Sequence, residues 1–228
     1  MPKQSSGSFV VYRNGDIVCA MDLIYRTNLI CGSGAADVIQ TAIDSGHHVL
    51  IQAGVYNLSH GLRWRDKYVL LEGEGHGVQY ARWGTVLVQQ FNGTVIDVTY
   101  SDWNNSGFEI KSMQIEGGTR EGYTGIGVYV HMAKGWLIED LVIRFFSDHA
   151  LRADRCGWRR LLNMFTGGCG KHLSYYTRNV NWKWVVVEAC TVTSGNQDRS
   201  ICWKIQAGRF MLATTSLERS TEGMGCIW

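Results

Sequence analysis

The sequence predicts an all-β solenoid of short parallel strands, and three observations predict it. The first is the balance of turn residues: 27 glycines stand against a single proline, Pro2, so glycine sets turns that proline usually shares. The second is a succession of short β-rich runs divided by Gly, Asn, Asp or Ser, among them "HVLIQ", "KYVLLEG", "TVLVQQ", "TVIDVTY" and "GIGVYVH". The third is an approximate repeat. "GFEIKSMQIEG" at Gly107, "GWLIEDLVIRF" at Gly135, "GWRRLLNMFTG" at Gly157, "NWKWVVVEACT" at Asn181 and "GRFMLATTSLE" at Gly208 follow one another at steps of 28, 22, 24 and 27 residues. A second series interleaves with it: "GVYV" at Gly127, "ALRA" at Ala150, "HLSY" at His172, "SICW" at Ser200 and "GCIW" at Gly225. Leucine-rich repeats carry a fixed Leu/Asn signature and propeller blades need longer units, so neither fits. A unit holding two or three short strands with alternating inward apolar side chains is a parallel β-helix.

The elements follow in chain order. In "FVVYRNGDIVCA", Asn14-Gly15 lies between two apolar-rich runs and predicts a two-residue hairpin turn. After "CGSGA", Asp37 reads as an N-cap with Gln40 three residues on, Val38, Ile39, Ala42 and Ile43 share one face, and Gly46 ends the helix. So short a helix is unstable alone in water. It is expected to cover the exposed first coil of the solenoid as a lid. The expected division is a hairpin and lead-in over 1–35, then one continuous β-helix over 36–228.

Among 228 residues, 45% are hydrophobic, enough for a substantial core. A net charge of +2 with 18% charged residues lacks the basic excess of a generic nucleic-acid binder. Between Arg144 and Lys183, however, eight Lys or Arg stand against two acids, leaving the rest of the chain near −4. The seven cysteines (Cys19, Cys31, Cys156, Cys169, Cys190, Cys202, Cys226) show no zinc-finger spacing. They read mainly as small buried hydrophobes, with one or two disulfides left open. "MPKQSSGSF" has no apolar h-region and no run of eighteen apolar residues occurs, so neither a signal peptide nor a membrane partner is expected.

"VIQTAIDSG", "IQAGVYNL" and "VLLEGEGHG" occur in that order. This arrangement resembles the right-handed β-helix proteins of the pectate-lyase superfamily, whose N-terminal signature is a helix of the type "IQxAID", then "PxGxY", then "LxGxG". The chain departs from it at Ala53, where the family usually has proline. The resemblance runs over roughly residues 9–228 and implies a right-handed, single-stranded parallel β-helix. It also implies binding or processing of polysaccharide, with polyuronate as one class. The superfamily includes lyases, glycosidases, epimerases, viral tail fibres and proteins without known catalysis, so the fold alone does not choose an activity. A non-enzymatic structural or adhesive protein, such as a viral fibre or surface component, is the alternative.

Ligands of such a fold lie along its outer faces. With Val128, Leu151, Leu173 and Ile201 inward, the outward rows read Tyr129, Arg152, Ser174, Cys202 and His131, Asp154, Tyr176, Lys204. Tyr129, His131, Tyr176 and Lys204 are thus candidate ligand-binding residues, although this alignment also turns Tyr175 and Trp203 inward. Asp148, His149, Arg152, Asp154 and Arg155 form the candidate catalytic cluster. β-Elimination from a uronate needs a cation to neutralise the carboxylate and a base to take the adjacent proton. Arg152 would be the base and Asp154 a ligand for Ca2+, the one cofactor this chemistry suggests. The competing reading is a set of ordinary ion pairs on a solvated sheet. Hydrolysis would instead pair Asp148 or Asp154 with Glu139 or Asp140. The family's "NTD", "DD" and "RIK" runs are absent, which favours a lyase over a hydrolase if the protein is an enzyme.

Nine tryptophans are many for this length. Trp64, Trp83 and Trp103 read as exposed loop rings able to stack on sugars or in interfaces. Trp136, Trp158 and Trp182 recur at one repeat position and read as structural stacking. His47-His48 falls in the turn between helix and strand. "GEGHG" is no phosphate loop, because no helix follows and no GK[ST] closes it. Expected partners are a polysaccharide or glycan and a second subunit covering the terminal "GMGCIW", with no nucleic acid. A carbohydrate-active role would place the protein outside the cell or on a virion, and otherwise in the cytoplasm.

Overall fold

The computed structural model describes residues 7–77, 82–102, 106–176, 185–188, 191–193, 202–205, 210–213, 216–218 and 226–227. Among the described residues the fold is all-β apart from one helix and one 3-10 turn, and its strands pair mostly in parallel. Three stacked ladders organise it. The first runs through β4 (Gly46–Ile51), β7 (Leu70–Gly73), the leading halves of β10 (Glu109–Glu116), β12 (Lys134–Arg144) and β14 (Gly157–Gly167), then β16 (Val185–Glu188) and β19 (Phe210–Ala213). The second runs through β5 (Gly54–Leu58), β8 (Thr85–Gln89), the trailing halves of β10, β12 and β14, then β17 (Thr191–Thr193) and β20 (Ser216–Glu218). The third is β6 (Leu62–Arg65), β9 (Gly93–Thr99), β11 (Gly125–His131), β13 (His149–Asp154), β15 (Lys171–Tyr176), β18 (Cys202–Ile205) and β21 (Cys226–Ile227). From β4 onward, each repeat adds one strand to each ladder in the same order, a β-helix-like arrangement.

Alternation fills the space between the ladders. Val49, Ile51, Leu71, Ile110 and Ile138 come from the first, Met113, Ile115, Leu141 and Ile143 from the second, and Ile96, Val98, Val128, Val130 and Leu151 from the third. All are fully buried in one apolar cluster. Where β10, β12 and β14 pass from the first ladder to the second, Ser112, Asp140 and Asn163 adopt left-handed backbone at φ 52°, 57° and 48°. Each bends its strand at the same level. Asn163 Nδ2 donates to Asp140 Oδ1 at 2.6 Å, so the bends of β12 and β14 are tied side chain to side chain.

At the N-terminal end, β1 (Gly7–Asn14), β2 (Ile17–Asp22) and β3 (Thr27–Gly32) form an antiparallel meander, and β1 also pairs in parallel with β4. The predicted hairpin is present, but Asn14 pairs with Ile17, so its turn is Gly15-Asp16 rather than Asn14-Gly15. Gly15 alone supplies the positive φ, 64°. Cys19 and Cys31 are directly opposite on β2 and β3 and form a disulfide.

Helix α1 (Ala35–Ser45) begins two residues before the predicted cap. Its N-cap is Gly34, and Asp37 lies in the first turn beside His60, with Oδ1 3.1 Å from Nε2. Gln40 does not complete a capping box: its Nε2 donates to the Arg63 carbonyl at 2.7 Å and its Oε1 accepts from Arg63 N at 2.8 Å, pinning the helix to β6. Lys67 Nζ donates to the Ile43 and Asp44 carbonyls at 2.5 and 3.2 Å, placing a cation on the last turn. Ala35, Ala36, Val38, Ile39, Ala42 and Ile43 are buried in the common core, as a lid requires.

At Ala53, where the resembled pattern has proline, the backbone makes a bond that proline could not. The Ala53 N–H donates to Glu74 Oε2 at 2.8 Å, and proline lacks that hydrogen. Ala53→Pro is therefore expected to destabilise the fold by about 1–2 kcal/mol. Urea unfolding of Ala53→Pro, Glu74→Ala and the double variant checks this, because Glu74→Ala should cost almost nothing once the amide is gone.

Candidate functional site

The outer face of the third ladder carries a continuous polar stripe. Register sets Arg63, Asp97, Tyr129, Arg152 and Ser174 side by side in one row, with Arg65, Thr99, His131, Asp154 and Tyr176 in the next. The alternate positions Leu62, Ile96, Val128 and Leu151 are buried, so sheet parity turns the polar residues of β6, β9, β11 and β13 outward. In register, both rows match expectation as far as β15. At β18 the register differs: Leu173 faces Trp203 and Ser174 faces Lys204, so Lys204 joins the Tyr129 row and not the Tyr176 row. The chain between β15 and β18 takes two more residues than the repeat allows.

At the centre of the stripe, Arg152 Nη2 lies 3.0 Å from Asp154 Oδ2, and Tyr129 OH donates to the same Oδ2 at 3.1 Å. The Arg152 guanidinium sits over the Tyr129 ring, 5.7 Å from its centroid, and the Tyr129 and His131 rings stack at 6.3 Å and 21°. Burial, the charge of Asp154 and its hydrogen bond push the Tyr129 hydroxyl up to about 12. At neutral pH Tyr129 is a donor and Asp154 its acceptor. The four side chains form one preorganised patch with both donors and acceptors.

The other three residues of the predicted catalytic cluster do not join it. His149 shares the inward parity of Leu151 and is buried; Asp148 Oδ1 lies 2.6 Å from its Nδ1, but neither ring nitrogen makes an aligned hydrogen bond. Burial pushes its imidazole below the ordinary value, against the opposing charge of Asp148. Asp148 is half exposed between His149 and Lys171, whose Nζ is 3.8 Å away. Arg155 occupies the left-handed corner position after the strand, φ 55°, as Asp66 and Met132 do after theirs. Among the described residues no three His, Cys, Asp or Glu side chains converge, and Asp154 is committed to Arg152 and Tyr129. The residues present do not fit Ca2+.

Glu139 and Asp140 are on β12, away from the third ladder: Glu139 lies 4.0 Å from Lys111, and Asp140 is held by Asn163 and by His76 Nε2 at 3.0 Å. Trp64 is a core residue of β6 rather than a loop ring, 3% exposed. Trp83 is exposed as expected, while Trp103 and Trp182 lie outside the described residues. His47 and His48 are within β4, where they meet the Tyr68 carbonyl at 2.8 Å and Glu72 at 3.1 Å. Trp136 is buried as predicted, but Arg159, not Trp158, lies beside it.

Two groups escaped sequence reasoning. Arg63, Arg65, Asp97 and Thr99 extend the stripe, and the alternation in "LRWR" and "VIDVT" carries that signal. Glu116 and Arg144 form a buried ion pair on the second ladder, joined by Arg82 and Gln114. Glu116, Arg144 and Arg82 are far apart in sequence, and no local pattern marks them.

No model of a known protein family and no curated protein matches the chain. Two solved structures are similar to it. Geobacillus virus E2 ORF18 aligns at a TM-score of 0.53 and 14% identity over 81% of this chain and 36% of its own. A pectin methylesterase in complex with hexasaccharide VII aligns at a TM-score of 0.38 and 13% identity over 72% of this chain and 62% of its own. The first likeness is one of fold, and the second is too slight to bear on chemistry. The chain thus spans about a third of the viral protein. Fold and site together define a β-helix-like protein with a polar stripe along one face.

Proposed function

We propose that the three ladders are the faces of a right-handed parallel β-helix continuous over residues 36–228, and that the outer face of its third ladder binds polysaccharide. The observation that carries this reading is the Tyr129–His131–Arg152–Asp154 patch, where fixed donors, fixed acceptors and aromatic rings share one outer surface. Sugars require that combination: hydroxyls need paired donors and acceptors, and ring faces need an apolar plane. Arg152 offers the cation that an acidic sugar would seek. The patch serves binding rather than proton abstraction, because Arg152 is paired with Asp154 and Tyr129 keeps its proton at neutral pH. The Cys19–Cys31 disulfide supports an extracellular or virion-associated site of action, since thiols stay reduced in most cytosols.

The test is calorimetric binding across neutral glycans and polyuronates, with and without calcium, alongside ultraviolet detection of unsaturated product. Arg152→Ala is expected to weaken polyuronate binding about tenfold, Tyr129→Phe less, with no calcium requirement and no product. Absence of binding across the panel would favour the alternative of a structural rod.

A further inference from the structure

Among the described residues, one buried titratable side chain makes no aligned hydrogen bond, His149. Other buried polar groups are engaged: Thr85 donates to the Ile51 carbonyl, Gln89 bridges the Gly93 carbonyl and Gly118 N, and Glu116 holds Arg144. His149 is 3% exposed and shares the inward parity of Leu151. Its strand is clamped on both edges just there. On the β11 side, a Cβ at Gly127 would meet the Ala150 carbonyl at 2.6 Å and Ile143 Cγ2 at 2.7 Å. On the β15 side, Lys171 N donates to the Asp148 carbonyl at 2.5 Å.

The charged groups around the ring are Asp148 at the preceding corner, Lys171 opposite it on β15 and Arg152 on its own strand. β11 passes with Gly125, Ile126 and Gly127, none of them titratable. Cys169, at the corner before β15, keeps its proton because burial pushes its thiol up to about 12. Burial is the largest influence on His149 and disfavours the imidazolium; Asp148 favours it, and Lys171 and Arg152 oppose it. We propose that His149 is a proton-triggered latch: once charged, the ring leaves the inward row for Asp148 and water, and the start of β13 parts from β11 and β15. Arg152 and Asp154 lie three and five residues along the same strand, so opening also unseats the polar patch. The consequence for ligands rests on the function proposed above, whereas the opening does not.

The unfolded chain takes up this proton at the ordinary imidazole value, about 6.5, and the folded chain only at lower pH. The latch is therefore shut above the ordinary value. Below it the latch weakens by up to about tenfold per pH unit, levelling off once the folded ring is charged as well. His60 works in the opposite sense, since the Gly61 carbonyl and Asp37 raise its value and its contribution is lost as pH rises. Comparison with a His149 variant, which retains His60, separates the two.

Amide hydrogen exchange of the full chain between about pH 8 and 5 tests the latch. After correction for the intrinsic pH dependence of exchange, protection of β13 and β15 in wild type is expected to fall by up to about tenfold per pH unit below the imidazole value, while β9 holds. His149→Phe keeps a ring on the inward row without a titrating group and should flatten the β13 profile. His149→Leu gives the same comparison if the larger ring does not fit. Polyuronate affinity should follow the β13 profile in wild type and stay level in the variant; a panel without any binding would remove the ligand and leave the exchange result to decide the latch. A β13 profile that neither substitution alters would overturn the proposal, and so would a His149 imidazole that titrates at or above its ordinary value by NMR.

Discussion

Replacing Glu116 with alanine is expected to cost about 3–5 kcal/mol of stability. Glu116 and Arg144 are 2% and 3% exposed, and Oε1 of the carboxylate accepts from Arg144 Nη2 at 2.5 Å and Nε at 3.1 Å. Arg82 and Gln114 donate to the same group. Deleting the carboxylate leaves the Arg144 charge buried without its counter-ion, which costs more than the pair itself contributes. Urea unfolding measures the loss. The Glu116→Leu/Arg144→Met double variant should recover most of it, because neither charge then remains to be desolvated. A loss below about 1 kcal/mol in Glu116→Ala would mean that the pair is solvated. Burial pushes the Glu116 carboxyl up, but hydrogen bonds and charge from Arg82 and Arg144 together outweigh it and hold it below the usual range. Its stabilisation is therefore complete above the unfolded carboxylate value and disappears as pH falls through the folded one. Glu116→Ala should lack that acid limb.

Phe108→Ala is expected to cost a similar amount, about 3–5 kcal/mol. Phe108 is fully buried, with its ring stacked on Trp136 at 5.3 Å and 10° and edge-on to Trp64 at 6.0 Å and 76°. Trp64 belongs to the third ladder and Trp136 enters the first, so this column of three rings fills the space between two faces. Truncation opens a cavity lined by two large rigid rings that cannot collapse into it. Phe108→Leu retains part of the filling and should lose about half as much. Thermal and urea unfolding check the order, and a loss in Phe108→Ala no larger than in Phe108→Leu would contradict the packing argument.

What the sequence discloses depends on loop length. Val128, Leu151 and Leu173 lie in one row, as their spacing predicts, because the chain between these strands is short and nearly constant in length. Beyond β15 the step is two residues longer than the pattern suggests, which moves Lys204 to another row but keeps its parity. An odd slip is more damaging. The motif at Gly135 suggests a step of 22 to Gly157, yet Lys134 pairs with Gly157 and Trp136 with Arg159, a step of 23, so the repeating tryptophans fall out of line. His149 illustrates a different limit. Its closeness to Arg152 and Asp154 in sequence suggests one cluster, but period-two alternation sends it to the opposite face. Ion pairs such as Glu116 with Arg144 arise only from stacking, which no local motif encodes.

Successive β10, β12 and β14 are 28 and then 23 residues apart, and still their strands stay in register. Much of the surplus is taken up at the corner holding the exposed 3-10 turn Thr119–Glu121, which Gly122 closes in left-handed backbone at φ 88°. That corner is expected to accept insertions. A foreign epitope spliced between Glu121 and Gly122 would be displayed without displacing a strand, and equivalent grafts at the same corner of adjacent repeats would stand roughly 4.8 Å apart, a ready ruler for multivalent display.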